Sequence, residues 1–92
     1  MDLVLSNPIR VRLTHACLDE DLEAITLALD GGGSAYEALL MTATWRPGFE
    51  FVLARTSAAD RDRFCQRVGA SAEQRGLVRA HGLREQLRLL LP

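Results

Sequence analysis

The chain has 92 residues, of which 48% are hydrophobic and 25% charged, and it carries a net charge of −1. That length accommodates one domain, residues 1–92, and that composition excludes wholesale disorder. No run approaches the ~20 apolar residues of a membrane span, and Leu3-Val4-Leu5, preceded by Asp2, is too short for a secretory leader, so a cytoplasmic protein is expected.

Asn7-Pro8 reads as a cap and first turn, and Ile9, Leu13, Ala16 and Cys17 then share one helical face. Asp19 and Glu20 are expected to open a second helix, with Leu18, Leu22, Ile25 and Leu29 as its apolar stripe. Gly31-Gly32-Gly33 stops it, with Gly31 expected in the left-handed conformation. Ser34-Ala35-Tyr36-Glu37 is a capping box, followed by a helix that presents Tyr36, Leu39, Leu40 and Ala43.

Arg46-Pro47-Gly48 breaks that helix, and a short one from Phe49 to Ala54 turns Phe49, Val52 and Leu53 inward. Thr56-Ser57 caps a fifth helix carrying Phe64, Cys65 and Val68 and stopped by Gly69. Ser71-Ala72-Glu73-Gln74 is a second capping box, opening a helix with Leu77 and Val78 that Gly82 interrupts. A last helix presents Leu83, Leu87, Leu90 and Leu91. No alternating β-branched run is present. The fold expected is all-α: six or seven short helices in antiparallel hairpins, a small stack like that of helical-repeat proteins.

Charge is divided unevenly. Residues 1–45 set two arginines against seven carboxylates, and residues 46–92 set nine arginines against five, with no lysine anywhere. Either the two halves pair on folding, at about 0–1 kcal/mol per exposed pair, or the basic half faces an acidic partner.

Residues 13–33 resemble the helix–turn–helix part of an ankyrin repeat, through Leu13, Ala16, Cys17, Leu22, Glu23, Ile25, Leu27, Leu29 and Gly32. Gly48-Phe49-Glu50-Phe51-Val52 and Gly82-Leu83-Arg84-Glu85 look like two further copies of the turn and second helix. Thr-Pro-Leu-His is missing, Glu20 stands where that family places a turn glycine, and the copies lie 28 and 34 residues apart. Residues 77–87 also resemble the closing helix of the tetratricopeptide-like chaperones that hold type III secretion needle subunits. Both resemblances imply helical hairpins that bind protein, the second through a groove that clasps an amphipathic helix.

His15, Cys17, Cys65 and His81 have no spacing that would preorganise a metal, and neither a metal nor a cofactor is expected. The acidic run Asp19-Glu20-Asp21-Glu23 is accounted for by a helix N-terminus, and Gly31-Gly32-Gly33 lacks the Lys of a phosphate loop. With no catalytic constellation, the expected function is non-enzymatic protein binding by a small adaptor or chaperone. Trp45, Arg46, Phe49 and Phe51 are the expected contacts, because aromatics beside Arg anchor interfaces. Leu87 and Leu90 form a second contact, and the Leu89-Leu90-Leu91 run calls for cover, within the fold or in a homodimer. The alternative is a small helix-turn-helix regulator that binds nucleic acid through residues 63–80, with Arg75 and Arg79 facing a groove.

Overall fold

Six helices account for most of residues 8–67 and 70–90, the part of the chain described by the computed structural model. They are α1 (Pro8–Leu18), α2 (Leu22–Asp30), α3 (Ala35–Met41), α4 (Arg46–Leu53), α5 (Ala58–Arg67) and α6 (Ala72–Leu90), with no strand among the described residues. The all-α expectation holds. The Asn7 cap, Val68, the Gly69 stop and Leu91 lie outside the described residues.

The acidic run is a turn between helices, not the start of one. Asp19 and Glu20 follow α1, and Asp21 caps α2 by accepting a 3.1 Å hydrogen bond from the Ala24 amide. Glu20 takes up the left-handed conformation, φ 54°, that reverses the chain. Leu18 therefore closes α1 and stands exposed, and the buried stripe of α2 is Ile25 and Ala28.

The α2 stop is also displaced by one residue. Gly31 has φ −82°, an ordinary value, whereas Gly32 has φ +105°. The reason lies in the carbonyls being satisfied. The Gly31 amide donates to Leu27 O, the Gly32 amide to Leu29 O and the Gly33 amide to Ala28 O, so Gly31 still turns with the helix and Gly32 makes the reversal.

Ser34 caps α3 through the Glu37 amide at 3.2 Å, but the Glu37 carboxylate meets Arg10 Nε at 3.0 Å, which ties α3 to α1. Arg46-Pro47-Gly48 starts α4 instead of merely ending α3, since Pro fits a first turn. Gly48 lies beneath the Trp45 ring, where any Cβ would collide with the indole. Ser57 caps α5 through the Asp60 amide at 3.2 Å. The second capping box closes in both directions: Gln74 N to Ser71 Oγ at 3.1 Å and Ser71 N to Gln74 Oε1 at 3.0 Å. It opens α6, which runs 19 residues straight through Gly82. One long helix thus replaces the two short ones expected there.

Packing proceeds from α2 to α1, from α1 to α3, from α3 to α4 and α5, and from those two to α6. The α1–α2 hairpin and α3 meet at Leu13, Ile25 and Leu39, all fully buried. Phe49 of α4 and Phe64 of α5 meet with ring centroids 5.3 Å apart, tilted by 51°. Burial of each ring contributes about 1.5–3 kcal/mol. Two threonines inside this core, Thr42 and Thr56, donate their hydroxyls to the carbonyls of Ala38 and Val52, so neither is left unpaired. Between the acidic and basic halves, the described ion pairs include a loose, exposed one, Arg55 to Asp30 at 3.6 Å.

These glycines make a graded test. Gly76→Ala and Gly82→Ala, where an added Cβ meets nothing within 4 Å, should each stabilise the fold by about 0.5–1 kcal/mol. Gly32→Val should cost about 1–3 kcal/mol, for its positive φ. Gly31→Ala should be mild, while Gly33→Ala drives a Cβ to 2.8 Å from the Ala28 carbonyl and should be clearly worse. Thermal melts of the five variants give the order, and a stabilised Gly32→Val would refute the assignment of the stop.

Candidate functional site

Helix α6 has no buried residue along its whole length, so what holds it in place decides what it displays. Gln74, Val78, His81 and Glu85 recur at four, three and four residues and form one face. That face is the docked one. Gln74 Nε2 donates to the Ala43 carbonyl at 2.9 Å, and Leu77 and Val78 pack partly buried against the core. Glu85 Oε1 meets Arg61 Nη2 at 2.6 Å.

Arg61 is the buried charge that receives it. Only 7% of this residue is exposed, and its Nη1 also donates to the Thr56 carbonyl at 2.7 Å. Both ends of the guanidinium fork are thereby satisfied, which a buried arginine requires. His81 sits alongside with its Nε2 buried and without a hydrogen-bond partner; at 3.8 Å the second Glu85 oxygen is too far to accept one.

The opposite face of α6 carries Leu83, Leu87 and Leu90, spaced four and three residues apart. They are 55%, 59% and 80% exposed; Leu89, 86% exposed, lies on the side of the helix nearer Glu85. Ala80 and Gly76 continue the same line toward the N-terminus. Arg79 is exposed beside these leucines, while Arg84 and Arg88, also exposed, lie toward the side of the helix that carries His81 and Glu85. Three leucines of the helix thus stand open on its outer side, while Leu77 and Val78 are its apolar contacts with the core.

The structure separates the expected contact residues. Phe49 is 1% exposed and belongs to the core, because α4 is covered by both α3 and α6. Its truncation would remove core packing, which for a buried Phe costs about 3–5 kcal/mol. Trp45 and Phe51 are half-buried; Trp45 covers Gly48, and Phe51 lies 5.2 Å beneath the Arg55 guanidinium. Arg46 is exposed and paired with Glu50 at 3.4 Å. Leu87 and Leu90 are the expected contacts that stand open. Leu83 joins them, and the 83–87–90 spacing against 74–78–81–85 is the signal that would have singled it out.

Residues 63–80 span the end of α5 and the first half of α6, with the join at Val68 and Gly69 outside the described residues. Arg63 stacks 3.9 Å above the Tyr36 ring, while Arg75 and Arg79 are exposed. Cys17 is buried, which pushes its thiol pKa up, and Cys65 is half-buried; neither forms a disulfide. Among the described residues no group of three or more His, Cys, Asp or Glu side chains could hold a metal.

Burial holds the His81 pKa below the usual imidazole value; Glu85 opposes this, and Arg61, Arg84 and Arg88 reinforce it. Unfolding frees a histidine that takes a proton near its ordinary pKa of about 6.5. Below that pH the unfolded chain binds the proton first, so stability falls as pH drops from about 6.5 toward the lowered folded value. Urea midpoints at about pH 7.5 and about pH 5.5 should therefore differ less in His81→Gln than in the parent chain. An unchanged difference would show that His81 is not the group responsible.

No protein-family model, curated protein or solved structure matches the chain.

Proposed function

We propose that the chain is a non-enzymatic protein-binding module, a small adaptor or chaperone, whose contact surface is the outer face of α6. The observation that carries this reading is the outer side of that helix: with Gln74, Leu77, Val78, His81 and Glu85 on the docked side, Leu83, Leu87 and Leu90 face outward, each at least 55% exposed. Contiguous exposed leucines rimmed by polar groups mark interaction sites. Leucines repeating at three and four residues are the pattern by which one helix packs on another. The segment that resembles a chaperone's closing helix, residues 77–87, falls on α6 as well.

Trp45, Arg46 and Phe51 are given a lesser part. Their aromatic faces and charge are already engaged by Gly48, Arg55 and Glu50, so a partner would have to displace those neighbours.

A photoreactive amino acid at Leu87, compared with one at exposed Thr44, tests the proposal in living cells. A discrete protein adduct from Leu87 and none from Thr44 is the expected result. Adducts that are equal at both sites, or absent from both, would end the reading. An adduct to nucleic acid would favour the helix-turn-helix alternative instead.

A further inference from the structure

Along the flank of α6 that meets the start of α5 lies an open cleft of about 610 Å³. Its apolar walls are Ala58 of α5 and Leu83 and Leu89 of α6. Gly82 opens onto it as well: a Cβ added there meets nothing within 4 Å, so the missing side chain is part of the cleft's space. Arg61 and Glu85 also line it, and at 2.6 Å they cancel one another's charge. Two further arginines remain. Arg79 stands toward one end of the α6 wall, and Arg88, on the Glu85 side of the helix, toward the other. Both are exposed, and neither makes an ion pair among the described residues. Asp60 and Asp62 of α5 lie outside the walls of the cleft. The site thus keeps two positive charges and an apolar lining, with no carboxylate of its own left to answer them.

Taking α6 as the protein-binding surface argued above, we propose that the partner is acidic: a segment of it lies in the α5–α6 cleft, with carboxylates on Arg79 and Arg88 and apolar side chains on Leu83 and Leu89. Guanidinium groups form charge-assisted, bidentate pairs with carboxylates. Arg79 and Arg88 are nine residues apart, about 13 Å along the helix axis. One carboxylate cannot serve both, whereas a stretch of chain bearing several can. Leu83 belongs both to the cleft and to the outer leucine face, so a single partner covers the two surfaces without a break. A nucleic acid fits the cleft less well, since leucines separate the two arginines and the whole chain carries a net charge of −1.

The probe is a fluorescent peptide of about 15 residues built of leucine, alanine and glutamate, compared with one in which every glutamate is lysine. Anisotropy titrations of the parent chain should show the glutamate peptide binding at least about tenfold more tightly than the lysine peptide. Raising salt from about 50 mM to about 500 mM should weaken it, since the arginines are exposed and screened. Arg79→Gln/Arg88→Gln should lose at least about tenfold in affinity. Gly82→Leu should fill the cleft and lose as much, while its circular dichroism melt lies at or above the parent's, which separates blocking from unfolding.

Equal binding of the two peptides, or no binding of the glutamate peptide up to about 1 mM, would overturn the proposal. So would unchanged binding in Gly82→Leu, or displacement of the glutamate peptide by single-stranded DNA at lower concentrations than by unlabelled peptide. A dimer of the parent chain that Gly82→Leu dissociates would assign the cleft to a second copy and overturn it too. If Leu87 crosslinks to a protein in cells while the lysine peptide binds as well as the glutamate peptide, the α6 reading survives and the acidic partner alone is refuted.

Discussion

The orientation of α6 turns on the side that meets Arg61, together with the Gln74 bond to Ala43 and the packing of Leu77 and Val78. Arg61 is buried at the edge of the core, bonded to the Thr56 carbonyl on one side and to Glu85 on the other. A buried arginine without a carboxylate leaves a charge uncompensated, and here the carboxylate is supplied from the half-exposed Glu85. Rotating α6 about its axis would draw Glu85 from Arg61, lift Leu77 and Val78 from the core and break the Gln74 bond to Ala43, three turns from Glu85 on the same face. A generic apolar face would have docked with more freedom. The polar pair specifies one rotation, and that rotation points Leu83, Leu87 and Leu90 outward.

The rest of the fold prepares this arrangement. Phe49 and Phe64 join α4 to α5, the two helices on which α6 rests. Thr56 lies in the turn between them, and its buried hydroxyl is satisfied by the Val52 carbonyl. That leaves its own carbonyl to receive Arg61. Core packing, turn geometry and the buried charge are therefore parts of one structure, and the exposed leucines are its consequence. A helix of 19 residues is about 28 Å long, a large part of the molecule's 48 Å longest dimension. The surface it offers is correspondingly extended.

Charge separation along the chain acquires a spatial meaning here. The ion pairs are chiefly local or confined to one half, as in Arg46–Glu50, Arg10–Glu37 and Arg61–Glu85. Arg55–Asp30 bridges the halves at 3.6 Å between exposed groups, and such a pair contributes about 0–1 kcal/mol. Mutual pairing of the halves is thus a minor part of this fold's stability. Carboxylates remain exposed around the α1–α2 turn and arginines around α6, at the two ends of the packing order.

Much of this could be read from the residues alone, because it is set by local physics. Helix content follows from apolar spacing, and the Ser34, Ser57 and Ser71 caps follow from side-chain reach. The inward turn of Phe49, Val52 and Leu53 follows from periodicity. Where local rules compete, the sequence was silent. Gly82 ends an isolated helix readily, yet a docked helix continues through it, since neighbouring contacts outweigh a penalty of about 1 kcal/mol. Three adjacent glycines can all adopt positive φ, and only the closing hydrogen bonds select Gly32. The apolar stripe of the last helix was visible, as Leu87 and Leu90 show, but periodicity does not say which face turns inward. The tertiary structure decided that by docking Gln74 on Ala43, Leu77 and Val78 on the core and Glu85 on the buried Arg61, all on one side of the helix.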